Sequence, residues 1–578
     1  MKYLLVSFLI LLHFTSVKSE TKEQKKGPIA STPYGDIEGF VYRTHNDVDV
    51  NVFLGVRYGR APDHIHRFEK PEMVEKWNGL LHHAKRYKAS CIPFHRDALM
   101  RENYSEDCLF LNIVTPKNMN PEKKYPVFVF VHGGGYEIGD TEMIGYKNAS
   151  ANFVTKDIIF VSVQYRLGPL GFLTTGTKVN KGNLGLWDLT LSLLFLNEVI
   201  PSFGGDPNQI TLGGHSAGAA AVSALMFSPH SDHLFNQAVE MSGSVFCEFS
   251  MSESVVEESK ALIDAVGCTD ASEEKVHDCL KERTVDELLD GVEKIGSSRR
   301  HINFIKFHPH FDNDFFSFSP DNMARKAPPK KTMQGVTSLE SGLFSAVSGI
   351  EYVADLLIKE SRWTNFTREE VLEFMTSAVA TEKEHGRKMG PFLQLVTEFY
   401  LGEEDADKDS TFYLQKYTEL LSDLQFFIPS YHEIDLKRML GWETYYYVID
   451  HISDTFNHKT PLKGTFHGHE LRFLLSFLDT ELIPLSDNDK KFQDAFLGAS
   501  INFIKTGNPS TKQLKWPPVS KEAPSLHLRL NENSSIQKSF RSEAIKLWLE
   551  VIPKQIGTDI LKQNRLPAAH AHTKHTEL

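Results

Sequence analysis

At 578 residues, with 41% hydrophobic and 24% charged side chains, the chain is composed like a folded globular protein. That excludes a wholly disordered chain, a collagen-like repeat and a disulfide-dense miniature. Its 63 Lys and Arg against 75 Asp and Glu leave a net charge of −12, which gives no general pull on nucleic acid or anionic lipid. No nucleic-acid partner is expected.

The first residues read as a secretory signal. Lys2 supplies a positive start, Leu4 to Leu12 is an apolar run too short to span a bilayer, and Val17 with Ser19 forms a small-residue cleavage site. The alternative is an uncleaved anchor or a buried strand. Residues 1–19 are thus expected as signal peptide, 20–555 as one folded domain and 556–578 as a tail. No later apolar run reaches the ~18 residues of a membrane helix, so no transmembrane anchor is expected. Five cysteines suit an oxidising compartment. Nearest-neighbour pairing gives Cys91–Cys108 and Cys268–Cys279 and leaves Cys247 over, although sequence alone leaves other connectivities open. N-glycosylation sequons begin at Asn103, Asn148, Asn365 and Asn533, while Pro509 disqualifies Asn508.

From about Tyr125 to Met241, short β-branched or aromatic runs alternate with helical stretches. Tyr125-Pro126 opens a strand over Val127 to Val131 that ends at three glycines. A second buried-type strand covers Ile158 to Val163, and Asn183 to Ile200 has helical spacing. Gln209 to Leu212 is a short strand running into Gly213-Gly214, Ala217 to Phe227 a small-residue helix, and Gln237 to Met241 another strand. This alternation argues for an α/β protein with a largely parallel sheet covered on both faces. Ser250 to Leu440 reads as helical cover over one end of that sheet, and a strand returns at Thr444 to Ile449. The chain closes on His575-Thr576-Glu577-Leu578, which resembles the K-D-E-L/H-D-E-L retrieval signal. The two ends together point to the endoplasmic reticulum lumen and its retrieval receptor, with secretion as the alternative.

Gly214-His215-Ser216-Ala217-Gly218 matches G-x-S-x-G, a pattern that a chain of this length contains about 0.2 times by chance. Its setting strengthens it: a strand, then the motif, then an Ala-rich helix, the sharp turn that lifts a serine hydroxyl above a sheet edge. A nucleophilic serine also needs a base, oxyanion donors and an acid that orients the base. Donors are offered by the backbone of His132-Gly133-Gly134-Gly135-Tyr136. A phosphate loop is the competing reading there, but no Gly-Lys-Ser/Thr follows. Among 25 histidines, the order Ser, acid, His confines the base to the C-terminal part. His467, bracketed by Gly464 and Gly468, leads; His469 is its main rival, with His451 and His458 behind.

With these motifs on the page, the chain resembles the type-B carboxylesterase/cholinesterase family over nearly its whole length. The likeness also rests on Phe53-Leu54-Gly55-Val56-Arg57-Tyr58, Glu106-Asp107-Cys108-Leu109-Phe110-Leu111-Asn112 and Tyr165-Arg166-Leu167-Gly168-Pro169-Leu170-Gly171-Phe172. Phe203-Gly204-Gly205-Asp206-Pro207 and Thr506-Gly507-Asn508-Pro509 complete it. The resemblance implies a single α/β-hydrolase domain, Ser216 as nucleophile, Glu340 as triad acid and His467 as base. It implies an oxyanion hole at the N–H groups of Gly134, Gly135 and Ala217, agrees with the nearest-neighbour disulfides, and calls for no cofactor or metal.

Two departures bear on the substrate. His215 stands where the family usually has Glu, and the loop from Cys91 to Cys108 lacks the Trp with which cholinesterases hold a quaternary ammonium. Glu340 is followed by Ser341 rather than the commoner Gly. The expected activity is hydrolysis of a small neutral, rather apolar carboxylic ester through an acyl-enzyme. The alternatives are a catalytically dead binding or adhesion protein, a lipid-ester hydrolase and a cholinesterase.

Overall fold

The computed structural model describes residues 27–559 and 561, apart from 78, 99–102, 297–300, 348–354, 404–407, 456–458 and 477–483. The expected signal segment, the HTEL terminus and the candidate His458 lie outside the described residues.

Among the described residues, eleven strands build the main sheet. In chain order they are β1 (Phe40–Arg43), β2 (Asp49–Arg57), β3 (Phe110–Pro116), β4 (Tyr125–Val131), β5 (Ile159–Val163) and β6 (Gly205–His215). Then come β7 (Gln237–Met241), β8 (Lys331–Thr337), β9 (Thr444–Ile449), β10 (His527–Leu530) and β11 (Ser535–Gln537). Their spatial order is β1-β2-β3-β5-β4-β6-β7-β8-β9-β10-β11. Every neighbouring pair from β5 through β10 is parallel, and the flanking pairs are antiparallel.

Parallel strands are buried on both faces, and β4 displays this in its side chains. Val127, Val129 and Val131 join one apolar cluster while Phe128 and Phe130 join the cluster on the opposite face. Helices α1 (Leu184–Val199) and α2 (Ala217–Phe227) pack on the valine side. Helices α3 (Ser410–Ser422) and α4 (Ile428–Met439) add to that layer, and α5 (Asp487–Thr506) covers the phenylalanine side through Phe492, Phe496 and Phe503. The expected α/β architecture is the one present.

Three details depart from the sequence reading or refine it. The region assigned wholly to helical cover contains β8, a central strand whose buried Thr332 and Gln334 break the apolar run that would have announced it. Those side chains find partners inside the fold: Thr332 Oγ1 bonds Thr444 Oγ1 at 3.0 Å, and Gln334 Oε1 accepts from the buried Lys437 ammonium at 3.2 Å. Strand β6 is longer than expected because Gly213, Gly214 and His215 continue its pairing, which delivers His215 to the sheet edge. By length and hydropathy the helical stretch Leu184–Phe203 suffices to cross a bilayer, contrary to the expectation that no segment would; it is 72% buried in the core. Asp188 within it is paired with the buried Arg166 at 2.7 Å, a polar interruption suited to a core helix.

Disulfides join Cys91 to Cys108 and Cys268 to Cys279, while Cys247 is buried outside both. Of the sequon asparagines, Asn103, Asn365 and Asn533 are exposed. Asn148 is half-buried, and its Nδ2, the atom a glycan would need, donates to Leu475 O at 3.2 Å.

Candidate active site

The expected site residues gather at the C-terminal edge of the parallel strands, the usual place for a ligand in an open α/β sheet. Strand β4 ends at Val131 and releases the glycine loop; β6 ends at His215 and turns through Ser216 into α2. Because Val131 pairs with Gly214, loop and turn lie side by side. A Cβ on Gly133 would sit 2.8 Å from Ser216 Cβ, so only glycine allows this approach. Gly134 and Gly135 carry φ of +111° and +65°. Ser216 itself holds φ 59° and ψ −127°, strained for a side chain with a Cβ and kept in place by its N–H donating to Met241 O at 2.8 Å. Ala217 opens α2, where the first-turn amides lack intrahelical acceptors and carry the positive end of the helix dipole.

The loops after β8 and β9 supply the other two groups. Glu340 Oε1 accepts the Thr337 N–H at 2.7 Å, and Oε2 lies 2.7 Å from Nδ1 of His467. The backbones are joined as well: His467 N–H donates to Glu340 O and Leu339 N–H to Thr465 O. The ring of the rival His469 lies 5.7 Å from Phe473 and 6.2 Å from His451, which itself bonds Asp489, while Glu340 is taken by His467. Nε2 of His467 is buried with no hydrogen-bond partner, so a bond to Ser216 Oγ is not formed here. Such bonds are commonly long until substrate arrives. His215, next to Ser216, meets the His467 ring at 4.5 Å between centroids.

Burial governs the protonation of this group. It pushes His467 down to about 3, so the imidazole is neutral at pH 7. It pushes Glu340 up to about 7, partly offset by hydrogen bonds from Ser242 and Thr337. With Nδ1–H donated to Glu340, the lone pair of His467 sits on Nε2, the atom available to a hydroxyl proton.

Around His467 stands an apolar wall that sequence reasoning did not locate. Phe426 lies 4.6 Å and Phe344 5.4 Å from its ring; Phe304 packs on Phe344 and Phe249 on Phe426. Phe426 is held there by a π-helical turn, Asp423–Phe427, between α3 and α4, an irregularity that periodicity does not announce. Two polar neighbours were also missed. Ser242, just past β7, and Glu470, three residues after His467, are both buried beside the site. Among the described residues, no group of three or more His, Cys, Asp and Glu side chains is arranged to hold a metal.

Residues 26–548 match the profile of the carboxylesterase family. The chain belongs to the carboxylesterase family. Gut esterase 1 of Caenorhabditis elegans is 31% identical over 558 residues, covering 95% of this chain and 97% of that protein. Pyrethroid hydrolase Ces2a of Mus musculus is 27% identical over 556 residues, 92% of this chain and 93% of that protein. Acetylcholinesterase-1 of Trittame loki is 26% identical over 567 residues, 94% and 98% respectively. The large, mostly parallel sheet with its helical layers is accordingly a single α/β-hydrolase fold. The family and the esterase names of these relatives support carboxylic-ester hydrolysis as the general activity, acting on small-molecule esters.

Proposed function

We propose that this family member is a serine carboxylesterase that cleaves neutral carboxylic esters through an acyl-enzyme on Ser216. The observation that carries the reading is the conjunction of a strained serine with a buried imidazole whose Nδ1 is bonded to Glu340 and whose Nε2 is left with no partner. Ser216 Oγ attacks the ester carbonyl while His467 Nε2 takes its proton. Glu340 holds the imidazole in register and stabilises its charged form. The N–H groups of Gly134, Gly135 and Ala217 receive the developing oxyanion, each such donor being worth roughly 3–4 kcal/mol in the transition state. The proton then passes to the departing alcohol, and water repeats the sequence to release the acid.

The aromatic wall supports an apolar, uncharged substrate, and burial holds His215 neutral where an anion would have attracted a cation. Neither a dead binding protein nor a cholinesterase is favoured by any feature of the site. A lumenal location is part of the proposal, resting on Lys2 to Ser19, the terminal HTEL with its retrieval receptor, and the two disulfides. The glycans proposed with it fall on the exposed Asn103, Asn365 and Asn533. The test is Ser216→Ala assayed on a neutral aryl ester: kcat should fall by on the order of 10⁶. Turnover at the wild-type rate would remove the serine from the reaction.

A further inference from the structure

Two buried titratable groups beside His467 have no part in the steps above. His215 and Glu470 are 5% and 0% exposed, and His215 Nε2 lies 3.7 Å from Glu470 Oε1. Neither His215 Nε2 nor Glu470 Oε2 has a hydrogen-bond partner. Glu470 Oε1 accepts a long bond, 3.5 Å, from the Ser242 hydroxyl. A buried polar atom left unpaired is costly, and here each of two neighbouring side chains, an imidazole and a carboxyl whose Oε1 is within about 1 Å of bonding distance, carries one. His215 is not a bystander to the reaction: its ring faces that of His467 at 4.5 Å and borders Gly468 of the same loop.

We propose that Glu470 is a positioning residue which, as a neutral carboxylic acid, donates a hydrogen bond to Nε2 of His215 and so fixes the ring that backs His467. This rests on the reading of His467 as the base. The donor and acceptor are complementary in their neutral forms: an acid offers one O–H, and an imidazole protonated at Nδ1 offers a lone pair at Nε2. A closing movement of about 1 Å would make the bond.

The surroundings favour those forms. Burial, together with the nearby charge of Glu340, lifts Glu470 to about 8, so it keeps its proton at pH 7. Burial pushes His215 well down, and His467, whenever it is charged, pushes in the same direction. Among the described residues, the groups set against Glu470 are His215 at the end of β6, Ser242 after β7, Glu340 after β8 and Tyr447 on β9, with His467 behind His215. None is a fixed cation that would hold a carboxylate there. A charged His215 would also oppose the imidazolium that His467 becomes, so a neutral donor serves catalysis where an ion pair would not.

The chemistry makes Gln the conservative replacement, since its amide N–H donates as the acid does. Glu470→Gln should keep kcat near wild type on a neutral aryl ester, whereas Glu470→Leu should lower kcat roughly tenfold, the size of one lost hydrogen bond, with KM little changed. The pH profile supplies a readout that mere packing would not move. Wild-type activity should decline as Glu470 ionises above pH 8, and the Gln variant should lack that decline. Labelling of Ser216 by a fluorophosphonate, together with the melting temperature, establishes that each variant is folded and retains its nucleophile. A Gln variant that labels and melts like wild type but is as slow as the Leu variant would overturn the neutral-donor role. So would an alkaline decline identical in wild type and Gln. Failure of Ser216→Ala to abolish turnover would instead overturn the underlying esterase site.

Discussion

Two buried imidazole–carboxyl pairs are joined by short bonds near the same end of the sheet, and they are not equivalent. His467 meets Glu340 at 2.7 Å; His451 meets Asp489 at 2.9 Å. Asp489 is saturated: the Ser453 and Thr455 hydroxyls each donate to it at 3.0 Å, and so does the Ser486 N–H. The other nitrogen of His451 makes no hydrogen bond but lies 3.5 Å from a carboxylate oxygen of Glu532, and the ring stacks on Phe492 at 4.6 Å. Although burial alone would raise Asp489, the bonds from His451, Ser486, Ser453 and Thr455 bring it down to about 2. Glu340 moves the opposite way, up to about 7, and the second nitrogen of His467 is bonded to nothing. The lesson is that an imidazole–carboxyl bond does not make an active site. An unbonded nitrogen beside a strained serine does; a pair whose carboxylate is saturated and whose imidazole backs onto Phe492 and Glu532 is structural.

The sharpest way to break this contrast is to remove each imidazole in turn. His467→Ala should cost about 10⁴- to 10⁶-fold in kcat, with the overall fold retained. Equal losses from His467 and His451 variants would erase the distinction. The carboxyl of the structural pair should speak through stability instead. An acid whose folded value is depressed stabilises the fold above its unfolded value of about 4 and loses that contribution as pH falls through the folded value. Asp489→Asn should therefore cost about 2 kcal/mol at pH 7 in denaturant unfolding, a difference that closes between about pH 4 and pH 2. A pH-independent penalty would mean that Asp489 stabilises by packing alone. The smallest effect belongs to His451→Gln, which should leave kcat on a neutral ester unchanged while lowering the melting temperature.

The sequence was most legible where physics is local. Strand β4 with its glycine loop, the turn at Ser216 and the Ala-rich helix α2 each require a particular residue type at a particular place. Those requirements can be read from neighbours a few positions apart. Strand β8 was hidden because its buried Thr332 and Gln334 take their partners from Thr444 and Lys437, more than a hundred positions away. The same holds for Phe426, brought to His467 by a π-helical turn, and for Glu470, whose meaning depends on His215 lying across the sheet edge. The choice of His467 over His469 drew on Gly464 and Gly468 and on the family resemblance. What separates the two in space is the bond to Glu340, which spans 127 positions.

The most direct measurement is the mass of the Ser216-containing peptide after rapid acid quenching of the enzyme with excess neutral aryl ester. An acyl adduct on that peptide, formed in a burst of phenol release and absent from Ser216→Ala, is the predicted result. Steady ester turnover with the peptide unmodified at every quench time, or with the adduct on another residue, would contradict nucleophilic catalysis at this serine.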